Sequence, residues 1–309
     1  MKYSFLHYLS AKKTVDDRAL NRQVLETLVH QLPPSSAPLQ ILEIGAGTGA
    51  MFVRMLEWKL FSQADYTGID IQSENVAEAL AGIPIWAQTH GYQVERSGPI
   101  GLRLVKGNQQ VTAHFETIDL LEFIKRAESQ PRWDLLAAHA FLDLIDLSAN
   151  LPKILSLLRP GGLFYFTINF DGLTLLEPSL DPAFDELIQT LYHRSMEDRQ
   201  VDGKPSGGSR TGRHLFNHLH KARAEILAAG ASDWVVFPRQ ESYPADEAYF
   251  LHHIIHFIAD ALHGNPELDP ARFEDWLAGR HAQVERGELI YIAHQLDFVG
   301  RISAHRQPT

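Results

Sequence analysis

A doubly wound α/β sheet, mostly parallel, is what the 309-residue chain predicts, and three observations predict it. An apolar run, Leu39 to Ile44, enters the turn Gly45-Ala46-Gly47-Thr48-Gly49 and leaves as the helix-like Met51-Phe52-Val53-Arg54-Met55-Leu56. Strand-like runs then alternate with helical patterns as far as Ile168, which is the rhythm of βαβ units. Near the C-terminus a long apolar stretch, Glu288 to Phe298, reads as one more strand.

The elements follow in order. Thr14 with Asp17 three residues later has the form of a capping box opening a helix over 14–32, whose apolar face is Val24, Leu25, Leu28, Val29 and Leu32. Pro33-Pro34-Ser35-Ser36 stops it. After the first strand and its helix, Tyr66 to Ile71 is a second buried strand, followed by a helix to about Ala81 and an irregular stretch carrying Pro84 and Gly91. Leu102 to Val105 and Val111 to Phe115 flank Lys106-Gly107-Asn108 as a hairpin. Leu120 to Ala127 is helical, and Trp133 to Phe141 is the fourth strand. A helix over Leu151 to Leu158 is closed by Arg159-Pro160-Gly161-Gly162, and Leu163 to Ile168 is the fifth strand.

Asp181 to Asp198 reads as a helix and Gly203 to Ser209 as a flexible loop by composition. Leu215 to Ala229 reads as a helix ended by Gly230, and Asp233 to Pro238 as the sixth strand. A helical insertion spans about 245–286. Its first helix buries Leu251, Ile254, Ile255, Ile258 and Leu262 and turns Tyr249, His252, His256, Asp260 and His263 outward; its second is capped by Asp269 with Pro270 in the first position.

Backbone N–H groups at a glycine-rich turn that opens a helix form a ready site for a nucleotide-like ligand. Two readings of the turn are open. Gly45, Gly47 and Ala50 satisfy the dinucleotide pattern GxGxxG/A, with Asp70 at the spacing expected for a ribose contact, and point to an NAD-dependent oxidoreductase. Glu43, Gly45, Gly47 and Gly49 meet ExGxGxG, and this segment resembles motif I of the class I, Rossmann-like, seven-stranded S-adenosylmethionine-dependent methyltransferases. The helix, LRPGG, strand order also resembles that family and has no counterpart in the dinucleotide pattern, so the balance falls to the methyltransferase. A non-catalytic module keeping the same fold is the third reading; retention of Glu43, Asp70 and Asp119 with all three glycines argues against it.

The resemblance implies S-adenosylmethionine as cofactor and S-adenosylhomocysteine as product. It implies a cofactor site formed by Glu43, Gly45, Ala46, Gly47, Gly49, Asp70, Ile71, Asp119, Leu120 and His139, with Asp119 accepting from the adenine amino group; capping of the following helix is the other reading of Asp119. It implies a leading helix packed over the cofactor, with Tyr8, Lys13 and Arg18 as contributors, and acceptor-facing residues just past the fourth strand, His139 and Phe141. It also implies one domain over 1–309, an antiparallel seventh strand and lid insertions at about 171–213 and 245–286.

The acceptor side is open. Arg210 and Arg213, on either side of Thr211-Gly212, could clamp an anionic acceptor with two guanidinium forks, the other reading being a solvated basic turn. Tyr249, His252 and His139 are further candidates. His252 and His256 share a helix face, but His253 stands where a zinc-binding HExxH motif needs glutamate, so no metal is expected. A net charge of -10 disfavours nucleic acid, and a small-molecule acceptor is expected. The absence of cysteine excludes thiolate catalysis and disulfides. With no signal-like opening, and no apolar run near the roughly 20 residues of a spanning helix, a cytoplasmic protein is expected. The oligomeric state is not readable.

Overall fold

Buried strands rich in Leu, Ile and Phe need cover on both faces, and the chain supplies it with helices between successive parallel strands. The computed structural model describes residues 3–33, 37–127, 132–201, 203–240 and 242–303. In chain order the elements are α1 (Phe5–Ala11), α2 (Lys13–Ala19), α3 (Arg22–Gln31), β1 (Leu39–Ile44), α4 (Ala50–Glu57), β2 (Gln63–Asp70) and α5 (Ser73–Thr89). Then come β3 (Gln93–Arg96), β4 (Gly101–Lys106), β5 (Gln109–Thr117), α6 (Leu120–Ala127), β6 (Trp133–His139), a 3-10 turn Leu142–Leu144, α7 (Leu147–Leu155) and β7 (Leu158–Glu177). The last are α8 (Pro182–Glu197), β8 (Gln200–Val201), β9 (Lys204–Pro205), α9 (Thr211–Lys221), β10 (Ala224–Ala231), β11 (Trp234–Val236), α10 (Glu247–Leu262), α11 (Pro270–Glu285) and β12 (Ile290–Ile302).

The sheet has ten strands rather than seven, in the order β10-β12-β7-β6-β1-β2-β5-β4-β3, with β11 also on β12. Seven of them form the expected frame: β5, β2, β1, β6 and β7 are parallel, and β12 runs antiparallel between β7 and β10. The three extra strands are the β3–β4 pair at one edge and the short β11 at the other. The hairpin around Gly107 forms as expected, and so does the glycine turn between β1 and α4.

The expected helix over 14–32 is three helices. Leu20 is extended (ψ 125°), and the Asn21 side chain accepts from the Val24 N–H, so α3 begins anew. No capping box forms at Thr14, because its hydroxyl donates to Glu247 instead. Pro34-Ser35-Ser36 of the expected stop lie outside the described residues. Helix α5 runs through Pro84 to Thr89 rather than ending near Ala81. Proline has no N–H for the Leu80 carbonyl, and Arg96 donates to that carbonyl at 3.2 Å.

Two further expectations are corrected. The helix before the fifth strand lies over Leu147–Leu155, capped by Asp146, and Arg159-Pro160-Gly161-Gly162 belongs to the start of β7. Ala224 to Ala231 is strand β10, not the end of a helix, and it takes the sixth-strand place expected for Asp233 to Pro238. Its alanines favour helix, but the open edge of β12 offers a row of backbone partners. Gly230 lets Asn21 lie against β10, where its amide donates to the Ala231 carbonyl at 2.9 Å.

Both helical insertions form. Asp181 caps α8 and Asp269 caps α11, each with proline following. The loop expected to be flexible is held instead: Ser206 donates to the Leu144 carbonyl at 2.6 Å, and Ser209 bonds Glu197 through both N–H and hydroxyl. No described helix is long and apolar enough to cross a membrane.

Candidate functional site

The glycine turn is built by backbone that only glycine adopts without strain. Gly45, Gly47 and Gly49 have φ of 69°, 54° and 79°. A Cβ on Gly45 would strike the Phe141 ring at 2.4 Å, so Phe141 reaches from the end of β6 onto the turn. Ala46 is buried beneath the turn, its N–H on the Ile69 carbonyl.

Asp70, at the tip of β2, faces this turn. Its Oδ2 accepts from the Gly47 N–H at 2.9 Å; its Oδ1 accepts from the Gln72 N–H at 2.8 Å and from the Asn75 amide at 3.3 Å. A carboxylate has about four acceptor sites, so Oδ2 retains one. Ile71 beside it is 63 % exposed, an apolar side chain left open where a ligand would rest. At the tip of β5, Asp119 caps α6 through Oδ1, to the N–H groups of Leu121 and Glu122. The cap leaves Oδ2 unengaged, so the two readings of Asp119 use different oxygens. Leu120 is half-buried next to it.

Glu43 sits inside the protein. It is 1 % exposed and takes a hydrogen bond from the Tyr66 phenol. Burial pushes its carboxyl up to about 8, against the Tyr66 bond and Arg54. Its place is to support the turn from within.

His139, a candidate for both the cofactor site and catalysis, is fully engaged. Its Nδ1 meets the Thr167 hydroxyl at 2.7 Å and its Nε2 meets Asp16 Oδ2 at 3.0 Å. Burial, together with Arg54 and Lys12, drives its pKa down to about 4, although Asp16 opposes. A neutral ring donating from Nε2 to Asp16 and accepting from Thr167 fits these contacts. Asp16 is the hub. The Trp234 indole donates to it at 2.9 Å, Lys12 lies 3.3 Å away and Arg54 3.6 Å away. Burial alone would raise its carboxyl, but Lys12, His139 and Arg54 hold it well below the usual carboxylate range.

Strain gathers at the same place. Ala140 and Ile168, the residues after His139 and Thr167, have φ of 50° and 57°. For a β-branched residue this is an outlier, and Ile168 is held there by its N–H on Asp297 at 2.7 Å. The end of β6 and the middle of β7 are thus shaped against local preference.

Beyond them lies a group the sequence did not single out. Asp143, on the 3-10 turn, has Oδ1 buried with no hydrogen-bond partner among the described residues. Burial raises its carboxyl, while Arg199 and Lys12 act to lower it. Asp143 in turn acts on Tyr8 and Tyr192; burial pushes the Tyr192 phenol up to about 12, with Arg199 opposing. No side-chain hydrogen bond or ion pair fixes Arg199 among the described residues. These groups form a polar cluster beyond the end of β6 and beside the middle of β7, with loop residue Gly207 packed between the Asp143 carbonyl and the Arg199 guanidinium. The sequence held one signal, an acid two residues past Phe141; Arg199 lies 56 residues further on and carried none.

The other nominees are placed elsewhere. Arg213 is bound to Asp171, through Nε to Oδ1 at 2.8 Å and Nη2 to the carbonyl at 3.0 Å, so it is not free to clamp; Arg210 is exposed at the start of α9. Tyr249 and His252 are buried rather than outward. The Tyr249 hydroxyl accepts from the Ser4 N–H at 2.7 Å and its ring stacks on His7, while His252 meets His281 at 2.8 Å; they fasten α1 and α11 to α10. The Tyr8 ring stacks on His253, and Arg18 joins α2 to Glu247. His256 pairs with Asp260, and no metal-binding cluster of these residue types occurs among the described residues. A cleft of about 510 Å³ lies between α1, α4 and α5, with Lys13, Thr48 and Glu78 in its wall; Asp70, Asp119 and Phe141 are not part of it, so it lies on the helix side of the turn.

Replacing Arg213 by alanine leaves buried Asp171 with fewer donors. We expect a loss of about 1–3 kcal/mol in stability, read by urea unfolding, with no change in S-adenosylhomocysteine affinity.

Residues 17–198 match the family model described as a methyltransferase domain. No curated protein matches the chain. Among solved structures, it is similar to phosphoethanolamine N-methyltransferase 2 of Haemonchus contortus (12% identity, covering 98% of this chain and 61% of that one, TM-score 0.44). It is similar also to the cyclopropane synthase MmaA2 of Mycobacterium tuberculosis (10%, 90% and 84%, 0.44) and to the geranyl diphosphate C-methyltransferase of Streptomyces coelicolor (9%, 89% and 78%, 0.41).

Proposed function

We propose, from the premise that the chain belongs to the S-adenosylmethionine-dependent methyltransferase family, that it moves a methyl group onto a small, anionic acceptor held beyond the end of β6 and beside the middle of β7. The observation that carries this reading is Asp70, whose carboxylate lies across the open side of the glycine turn with one acceptor site to spare. S-adenosylmethionine, when bound, supplies an electrophilic methyl on a sulfonium sulfur.

The residues present fit that group. The backbone of Gly45, Gly47 and Gly49 gives close approach, Asp70 Oδ2 suits a ribose hydroxyl, Ile71 and Leu120 suit the faces of a base, and Asp119 Oδ2 suits its amino group. Glu43, Ala46 and His139 act one layer back, holding the turn and the strand ends. We read the chain as a single domain whose insertions at about 171–213 and 245–286 cover the acceptor, together with α1 and α2.

In-line displacement asks the protein to align acceptor and methyl in a dry space and to receive a proton where the acceptor carries one. Asp143 takes that proton in this reading. Arg199, which no side-chain hydrogen bond or ion pair engages among the described residues, suits an anionic acceptor better than Arg210 and Arg213 do. Absence of cysteine supports a cytoplasmic setting.

Calorimetric titration tests the donor: S-adenosylhomocysteine should bind with a Kd below about 100 μM and NAD should not bind. No heat with the former at millimolar concentration overturns the reading. Asp143→Asn should leave that affinity within about twofold, yet lower transfer of labelled methyl to a panel of small carboxylates bearing a hydroxyl or amine group about 10²-fold or more.

A further inference from the structure

A second cavity, of about 360 Å³, lies in the helical cover between the end of β7, α8, α10 and α11, and the methyl-donor site has no part in it. Its wall is apolar over much of its area, with Leu175, Ile188, Ile258 and Trp276, and a space of this size takes a small organic molecule. At one side stands Arg280, which is wholly buried. Its Nη1 donates to the Pro178 carbonyl at 2.9 Å and to Gln283 at 2.8 Å, its Nη2 donates to Asp185 at 2.5 Å, and its plane stacks over Trp276. Its Nε is buried and has no partner among the described residues. A buried guanidinium N–H without an acceptor costs free energy that a ligand oxygen would recover.

The acids nearby do not fill that role. Asp185 is saturated by Ser179, Trp276 and Arg280, and Glu177 and Glu186 are exposed at the rim. Tyr192 also lines the cavity, and Asp143 and Arg199 act on its phenol. The polar cluster therefore lies on the Tyr192 side of the cavity.

We propose that this cavity is the second subsite of the acceptor, seating an apolar body that carries a carbonyl or carboxylate oxygen for Arg280 Nε, while the reacting end lies on the Tyr192 side, toward Asp143 and Arg199. The assignment rests on the methyltransferase reading for the word acceptor, but not for the binding itself. A molecule held at both ends is fixed in one orientation, which is what in-line transfer requires. The cover then selects the acceptor by its apolar body, and the Asp143 and Arg199 cluster by its reacting group.

The probe is 8-anilinonaphthalene-1-sulfonate, an aromatic body with acceptor oxygens. In protein carrying labelled isoleucine methyl groups, the Ile188 and Ile258 signals, assigned through Ile188→Val and Ile258→Val, should shift with the probe and saturate with a Kd below about 100 μM. The shifts should persist with S-adenosylhomocysteine at saturation. Ile188→Trp, which fills the cavity, should weaken the probe about tenfold and leave S-adenosylhomocysteine affinity unchanged. Unmoved Ile188 and Ile258 methyls at 1 mM probe (about ten times the expected Kd), displacement by S-adenosylhomocysteine, or unaltered probe affinity in folded Ile188→Trp each overturn the subsite. The methyl signals decide the matter in the unmutated protein even if Ile188→Trp does not fold. Failure of S-adenosylhomocysteine to bind overturns the donor reading instead, and leaves the cavity result standing.

Discussion

Asp70→Ala is expected to weaken S-adenosylhomocysteine binding by about two orders of magnitude while the protein stays folded. Hydrogen bonds to an ionised carboxylate are each worth about 1.5–3 kcal/mol, and a ribose diol makes two of them with one such group. Their loss therefore reaches about 3 kcal/mol or more, or a factor of 10² and above. The variant also frees the Gly47 N–H, the Gln72 N–H and the Asn75 amide. Gln72 is exposed and finds solvent, but Asn75 is buried, so the variant also loses about 2–4 kcal/mol of stability, which a domain stable by about 5–15 kcal/mol survives folded. Asp70→Asn separates the two effects, because it can keep one acceptor for the turn while losing the charge. Calorimetry and thermal unfolding on both variants check this; donor affinity unchanged in Asp70→Ala removes Asp70 from the site.

The legible part of this molecule is the part written in short range. The turn between β1 and α4 announces itself because glycine is needed at consecutive left-handed positions, and Asp70 is found by counting to the next strand tip. The caps Asp181 and Asp269, the hairpin at Gly107 and the antiparallel β12 are equally local. Other elements answer to partners far along the chain. Ala224 to Ala231 has helical composition and becomes a strand because β12 presents an edge. The Thr14 hydroxyl abandons its cap for Glu247, which is 233 residues away. Tyr249 and His252 look outward by periodicity, yet α1 and α11 pack on both sides of α10 and bury them. Asp143 and Arg199 meet only because the α8–α9 connection folds onto the 3-10 turn. One missed residue did carry a signal. Arg54 is a lone charge inside the apolar helix Met51 to Leu56, where a fully buried guanidinium demands an acid from elsewhere.

That demand makes the Arg54→Met variant the most damaging substitution we expect for stability. Arg54 is 1 % exposed; its Nε donates to Asp17 at 2.6 Å, its Nη2 reaches the Lys13 carbonyl at 3.3 Å, and it lies against Asp16 and His139. Methionine fills much of the volume but leaves Asp16 ionised and buried, with Lys12 and the Trp234 and His139 N–H groups as its partners and one cation fewer. Breaking a buried charge pair from one side costs about 3–5 kcal/mol, which for a domain of this size lowers Tm by roughly 10 °C. The same network sets an acid limit. The His139 pKa falls from about 6.5 unfolded to about 4 folded, so below 6.5 the unfolded chain gains a proton that the folded one refuses. The His139 share of the stability therefore declines as pH drops from 6.5 to 4, by up to roughly 3 kcal/mol, against the opposite effect of Glu43 and Asp297, whose raised carboxyls take up protons in the fold. His139→Gln keeps a hydrogen-bonding side chain without titrating, and should flatten this part of the profile. Urea midpoints measured between pH 7 and 4 check it. An unchanged slope in His139→Gln would mean that the ring is charged in the fold and that Asp16, not burial, governs the network.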